Sequence, residues 1–307
     1  MTHNRSQKTL IVVGGPTASG KTALGISLAQ HYHTSILSAD SRQFYKELNI
    51  GVARPSTSEL ETVKHHFIAH KSIHDYYSAG EYERDAIKTL NKVFETNDCA
   101  VMVGGSGLFI NAVLHGFHEA PKDDGTVRNN LHILYNEKGI DGLINRLTEI
   151  DPVYAQSIDN QNPQRLMRAI ERVEISGRTH DQITKPKIAT RSFKAIEISI
   201  DHNREKLYDR INQRVDWMMQ NGLLEEVKAL ESFKNLNALK TVGYAELFAY
   251  LDGKISLAEA VEQIKQNTRR YAKRQVTWFK NKSQSVWFKH NELDKVLALV
   301  EGSIKRN

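Results

Sequence analysis

The chain has 307 residues, 40% of them hydrophobic, and carries 42 Lys and Arg against 36 Asp and Glu, a net charge of +6. That length suits one large domain or two smaller ones with a full core, and the positive excess points towards a polyanionic partner. The single cysteine, Cys99, excludes an internal disulfide, and no apolar run is long enough to cross a bilayer. The opening MTHNRSQK is polar and lacks an apolar signal core, so a cytoplasmic protein with no membrane partner is expected.

In chain order, Leu10 to Val13 read as a buried strand that runs into GPTASGKT, and Ala23 to Tyr32 as a helix. Thr34 to Ala39 read as a second strand ending at Asp40. Ala79 to Phe94 are the clearest helix, and Ala100 to Val103 a further strand entering Gly104-Gly105-Ser106-Gly107 and a helix from Leu108. This alternation predicts an α/β fold with a parallel sheet, whose ligands sit at the carboxyl ends of the strands. The composition then changes after Phe117. The stretch PKDDGTVRNN is polar, and helical periodicity punctuated by Pro163 and Pro186 persists to about Arg178. Ala195 to Ile200 return as a strand, long helices are expected over Arg204 to Phe233 and Leu257 to Lys280, and Val286 to Lys289 read as a last strand. The organisation is therefore a core begun by residues 1–117, a helical insertion over 118–193, and a core completed with basic helices over 194–307.

Gly15, Gly20, Lys21 and Thr22 fit the phosphate-binding pattern G-x-x-x-x-G-K-[ST]. Glycines let successive backbone N–H groups point inward at an anion, and the helix opening at Lys21 adds the positive end of its dipole. Lys21 brings a cation to the outer phosphates, and the Thr22 hydroxyl is the candidate Mg²⁺ ligand. Asp40 could serve as a proton acceptor, as a partner of Mg²⁺ or as a helix cap. Gly104 to Gly107 form a second glycine-rich turn, with Ser106 its one reactive group. Arg210 and Arg214 share one helix face and could neutralise a leaving pyrophosphate. Lys265, Arg269 and Lys273 recur every fourth residue among Arg270, Tyr271, Arg274, Trp278 and Phe279, a pattern suited to phosphodiesters and stacked bases. His65, His66, His70 and His74 lack evident metal-binding partners and read as loop residues packed on the sheet edge. Cys99 reads as a core thiol.

Together GPTASGKT, SADSRQFY, GGSGLF, QNPQRLMRAIE, LKTVGYAEL and NTRRYAKRQVTWFK resemble the tRNA dimethylallyltransferases, also called tRNA isopentenylpyrophosphate transferases, from about Leu10 to Lys282. The resemblance implies a P-loop NTPase-like parallel core with a helical insertion that grips the anticodon arm. It also implies transfer of a dimethylallyl group from its diphosphate to N6 of the adenosine 3′ to the anticodon. By the same resemblance, Gly15, Pro16, Thr17, Ala18, Ser19, Gly20, Lys21, Thr22 and Arg210 hold the diphosphate, with Mg²⁺ at Thr22. Asp40 is the general base, and Ser106 and Arg214 complete the catalytic set. Ser106 stands where the family usually has threonine and keeps the hydroxyl. Asp40, Ser41, Arg42, Gln43 and Ser106 meet the flipped nucleotide and its neighbours. Further tRNA contacts are implied for Arg128, for Gln161, Asn162, Pro163, Gln164 and Arg165, and for Lys240, Thr241, Val242, Gly243, Tyr244 and Ala245. The last such segment is Lys273, Arg274, Gln275, Val276, Thr277, Trp278, Phe279 and Lys280. The zinc-finger extension of eukaryotic members is not in the sequence, so the bacterial form is expected, working as a monomer on the anticodon stem-loop and dimethylallyl diphosphate. A small-molecule kinase, a prenyl transferase acting on free AMP and a nucleotide-switched RNA-binding protein are the competing readings of the phosphate loop.

Overall fold

The structure is a computed structural model that describes residues 7–116, 125–184 and 189–305. Those residues divide into two compact units, one formed by the chain up to residue 115 and from 190 onward, the other by the stretch between. The polar start, the composition change after Phe117 and Pro186 lie outside the described residues. The expected boundary at 193 falls at the first residue of a strand, so residues 190–193 group with the first unit.

In the first unit β1 (Lys8–Gly14) leads through the glycine loop to α1 (Lys21–His31), then β2 (Ile36–Ser38), α2 (Thr57–Thr62) and β3 (His65–His66). α3 (Ala79–Thr96), β4 (Cys99–Val103) and α4 (Gly107–His115) follow. The second unit holds α5 (Thr126–Ile150), α6 (Pro152–Ser157), α7 (Pro163–Ser176) and α8 (His180–Thr184). The chain returns with β5 (Phe193–Asp201), α9 (Arg204–Gln220), α10 (Leu223–Ala229), α11 (Tyr244–Leu251), α12 (Leu257–Lys282), β6 (Val286–Lys289) and α13 (Leu293–Lys305).

The described strands form one parallel sheet in the order β3-β2-β4-β1-β5-β6. β1 is central and buried from Thr9 to Gly14, as its unbroken apolar run requires of a parallel strand covered on both faces. Its alternate residues divide the core. Leu10 and Val12 face a cluster with Tyr82, Leu90 and Phe279, whereas Ile11 and Val13 face Leu28, Val296 and Val300. A further cluster joins Val215, Leu223, Tyr244, Leu247 and Ile264 of the later helices to Tyr45 and Leu48.

The long helix expected over Arg204 to Phe233 is broken. Gly222 takes a left-handed φ of +98° and separates α9 from α10, and a 3₁₀ turn covers Glu231–Phe233. β3 was not expected. It has two residues and is set by pairing with β2, which leaves no periodicity for a sequence to show. Its His65 and His66 do lie on the sheet edge. His70 packs against Phe44, Phe67 and Tyr77, where burial pushes its imidazole down to about 4. Cys99 is buried, and desolvation raises its thiol to about 11, which suits core packing and not nucleophilic attack.

The second unit has its own core, built from Leu131, Leu143, Leu147, Leu166, Met167 and Ile170. α5 bends at Gly139, which has φ +63°. Pro152 and Pro163 each stand at a helix start, where the missing N–H costs nothing, behind Asp151 and Asn162 as side-chain caps.

Candidate active site at the carboxyl edge of the sheet

β2, β4 and β1 are consecutive parallel strands, with Ser38 paired to Val103 and Val103 to Val13. The three turns that follow them therefore leave the sheet side by side at one edge, and the residues that could do chemistry cluster there.

The first turn is a cradle. Gly15 has φ +130° and Gly20 φ +91°, values that turn the backbone inward and that a side chain would strain. Ala18, also at positive φ, is held by packing on Leu207, Ile211 and Ala272. Lys21 opens α1 and curls back to donate from Nζ to the Pro16 carbonyl at 2.5 Å. Its burial lowers the ammonium pKa to about 7; the Asp40 carboxylate opposes that shift and the Arg214 guanidinium adds to it. Arg214 reaches from α9 to the Thr17 hydroxyl at 3.3 Å and is itself lowered, first by burial and then by Arg210. Arg210 lies over Gly20, its Nη2 only 3.8 Å from where a β-carbon would stand. The Ser19 carbonyl oxygen accepts from His202 Nε2 at 2.7 Å, while the Ser19 Oγ is buried without a hydrogen-bond partner. That hydroxyl lies 3.8 Å from where a β-carbon on Gly15 would stand, inside the turn, and leaving it unpaired costs about 1–3 kcal/mol.

The second turn carries Asp40. Its Oδ1 accepts the Arg42 backbone N–H at 3.0 Å, so the carboxylate shapes its own turn. Its charge is felt at Lys21 and Arg214 on one side and at Tyr271 on the other; burial and then Asp40 raise the Tyr271 phenol to about 12. Ser106, in the third turn, accepts the Ser41 N–H at 3.1 Å and donates to the Ser41 hydroxyl at 3.3 Å, buttressing the Asp40 turn. Gln43 spans the loop beyond, accepting from Ser38 Oγ and donating to the Val52 and Ala53 carbonyls. Arg42 donates to the Asn237 and Ala238 carbonyls at 3.2 and 3.1 Å.

A groove of about 660 Å³ opens beside Arg42. It collects Lys240, Thr241, Val242 and Ala245 from the start of α11 with Tyr271 and Arg274 from α12. These residues are far apart in sequence and the structure brings them together. Tyr244 does not join them. It is fully buried, donates to Glu226, and fills the space beside Gly51, while Glu226 also accepts the Ile50 and Gly51 N–H groups at 2.8 and 3.1 Å. Its place is therefore in the core under the 49–51 loop and not on an RNA surface. Gly243 is at φ +97° and starts α11.

α12 corrects a second expectation. The row Lys265, Arg269, Lys273 is not one track. Lys265 pairs with Asp216 at 2.8 Å and Glu262 at 3.1 Å, and Arg269 donates to Asn212 at 2.5 Å, so both fasten α12 to α9. Arg270, Lys273, Arg274, Thr277 and Lys280 remain exposed. On the opposite side Phe279 is 1% exposed and lies where a β-carbon on Gly14 would stand, and Trp278 does the same at Gly107. Val276 is half-buried. Gln275 is buried between the first and third turns, a placement that the sequence reading missed. Its spacing from Ala272 and Phe279 on the buried stripe is the signal that could have found it.

In the second unit Asn162 caps α7 by accepting the Arg165 N–H at 3.1 Å, and Arg165 lies 3.6 Å from Asp159. Asn162, Gln164 and Arg165 line a groove of about 310 Å³ with Arg168, Arg172 and His180, whose ring stacks on Tyr154. Gln161 and Pro163 belong to the same capping turn. Arg128 is ion-paired with Glu171 at 2.8 Å. Among the described residues no group of three or more His, Cys, Asp or Glu converges to hold a metal, and no helix is long and apolar enough to cross a membrane.

The IPP transferase family model matches residues 43–282. A tRNA dimethylallyltransferase of Flavobacterium johnsoniae is 48% identical over 290 residues, covering 92% of this chain and 94% of its own. One from Christiangramia forsetii is 49% identical over 296 residues, covering 96% and 98%. Among solved structures, the tRNA isopentenylpyrophosphate transferase of Bacillus halodurans superposes with a TM-score of 0.72 at 32% identity, over 98% of this chain and 97% of its own. The chain belongs to the IPP transferase family.

Proposed function

We propose that this family member transfers the dimethylallyl group of dimethylallyl diphosphate to N6 of the adenosine 3′ to a tRNA anticodon, giving N6-dimethylallyladenosine and diphosphate. The observation that carries the reading is the convergence of Lys21, Arg214 and Asp40 at one edge of the sheet, in a chain nearly half identical to named tRNA dimethylallyltransferases along their length.

An adenine amino group is a poor nucleophile because its lone pair is delocalised into the ring, so the reaction needs a good leaving group and a proton acceptor. In this reading the diphosphate sits in the Gly15–Thr22 cradle. Lys21, Arg214 and Arg210 stabilise the charge that grows on it as the bond from carbon to oxygen breaks. The N6–carbon bond forms on the Asp40 side, and Asp40 takes the N6 proton. The Ser106 bonds to Ser41 keep the Asp40 turn in place. The adenosine must leave its stack, at a cost of a few kcal/mol. Contacts from the exposed basic face of α12 and from the groove beside Arg42 can offset that cost. Thr22 follows Lys21 in the first turn of α1, and its hydroxyl, with phosphate oxygens and water, would supply the oxygen shell that Mg²⁺ prefers. When bound it would neutralise charge on the departing diphosphate. The reading takes the protein as a cytoplasmic monomer.

The test is incubation with dimethylallyl diphosphate, Mg²⁺ and undermodified tRNA, followed by mass analysis of the anticodon loop. A gain of one prenyl unit on the adenosine 3′ to the anticodon is expected, with AMP a far poorer acceptor. ATP-dependent phosphorylation without that gain would replace this reading by the kinase one.

A further inference from the structure

Gln275 is 6% exposed, in the half of α12 whose other face carries exposed basic residues. Burying a primary amide is costly unless both of its ends are paired. Here both are. Its Oε1 accepts the backbone N–H of Thr17, in the middle of the anion cradle, at 2.9 Å, and its Nε2 donates to the Gly105 carbonyl, in the third turn, at 2.9 Å. The fit is close, since a β-carbon on Gly105 would stand 2.3 Å from that Nε2. Thr17 is thereby held twice, by Gln275 on its backbone and by Arg214 on its hydroxyl. Phe279, one helical turn on, presses against Gly14 at the entrance to the cradle.

We propose that Gln275 is a positioning residue for prenyl transfer, which fixes the phosphate cradle against the third turn by a two-ended amide bridge and does not itself contact RNA. A glutamine suits the role because one side chain supplies an acceptor for an amide hydrogen and a donor for a carbonyl. Neither end points to solvent. The proposal rests on the reading that this cradle takes the diphosphate of the prenyl donor.

The test uses the full chain and inorganic pyrophosphate with Mg²⁺ as the probe, alongside tRNA binding and steady-state kinetics. Gln275→Met keeps the length and removes both hydrogen bonds. It should weaken pyrophosphate binding about tenfold and raise KM for dimethylallyl diphosphate by a similar factor, with tRNA affinity within about twofold of the parent. Weakened tRNA binding with unchanged pyrophosphate affinity would overturn the proposal in favour of an RNA contact. A lower melting temperature with both affinities unchanged would overturn it in favour of core packing alone. Should Gln275→Met not fold, Gln275→Glu retains the acceptor for Thr17 and is read by the same three measurements; failure of both to fold would also assign the residue to the core. A parent protein that binds pyrophosphate and makes no prenylated tRNA would sink the functional reading while leaving the bridge decided by pyrophosphate affinity.

Discussion

In the first glycine-rich turn, Gly15 and Gly20 occupy positive φ, and a β-carbon on either would make only ordinary contacts, at 3.7 Å or more. In the third turn, Gly104, Gly105 and Gly107 have ordinary backbone angles, and each stands where a neighbour already fills the β-carbon position: the Ala39 carbonyl at 2.2 Å, Gln275 at 2.3 Å and Trp278 at 2.3 Å. One turn uses glycine for conformation and makes a cradle. The other uses it for closeness and lets β2 and α12 press against β4. Composition does not separate the two cases, but their failure under substitution should.

The largest effect is expected where the obstacle is backbone. Gly104→Ala drives a methyl into the Ala39 carbonyl and should cost about 3 kcal/mol of folding stability or more in chemical denaturation. Gly20→Ala meets only Arg210 Nη2 at 3.8 Å, so its cost is the left-handed strain of about 1–2 kcal/mol. Relief of that strain should distort the cradle, weakening pyrophosphate binding about tenfold while the protein stays folded. Equal loss of stability in both variants would erase the distinction between the turns.

The cradle should also reveal itself by pH. Burial holds Lys21 at about 7, and a bound diphosphate favours the ammonium, so the pKa rises on binding. Below pH 7 the lysine is already charged and binding needs no proton. Above pH 7 binding must take one up, and affinity falls by up to about tenfold per pH unit until the bound-state pKa is reached. Pyrophosphate titrations between about pH 7.5 and 9 should show this fall, and Lys21→Arg should flatten it. A flat profile in the parent would mean that Lys21 is charged before the anion arrives.

The parallel α/β order, the phosphate loop and the placing of Asp40 at a strand end were all legible, because each rests on local periodicity or on a short motif. The break at Gly222 had a local signal, Asn221-Gly222, which the apolar pattern on either side masked. What the sequence hid is which side of a helix meets the core. In α12 the stretch that reads as a basic, aromatic track carries two opposite faces. Lys273, Arg274, Thr277 and Lys280 are exposed, and Gln275 and Phe279 are buried against the turns that β1 and β4 feed. Tyr244 was hidden for the same reason, since its partner Glu226 lies on another helix and Gly51 on a distant loop. Burial of a polar or aromatic residue is decided by tertiary neighbours that no local window contains.

In the proposed mechanism Asp40 accepts the proton while the Lys21 cradle receives the leaving anion. Single-turnover prenyl transfer by Asp40→Ala, measured on tRNA-saturated enzyme beside the tRNA and pyrophosphate affinities, addresses it directly. A rate lower by about 10²–10⁴-fold is expected, with both affinities nearly unchanged. A variant that transfers at the parental rate, or that loses tRNA binding in proportion to its rate, would contradict it.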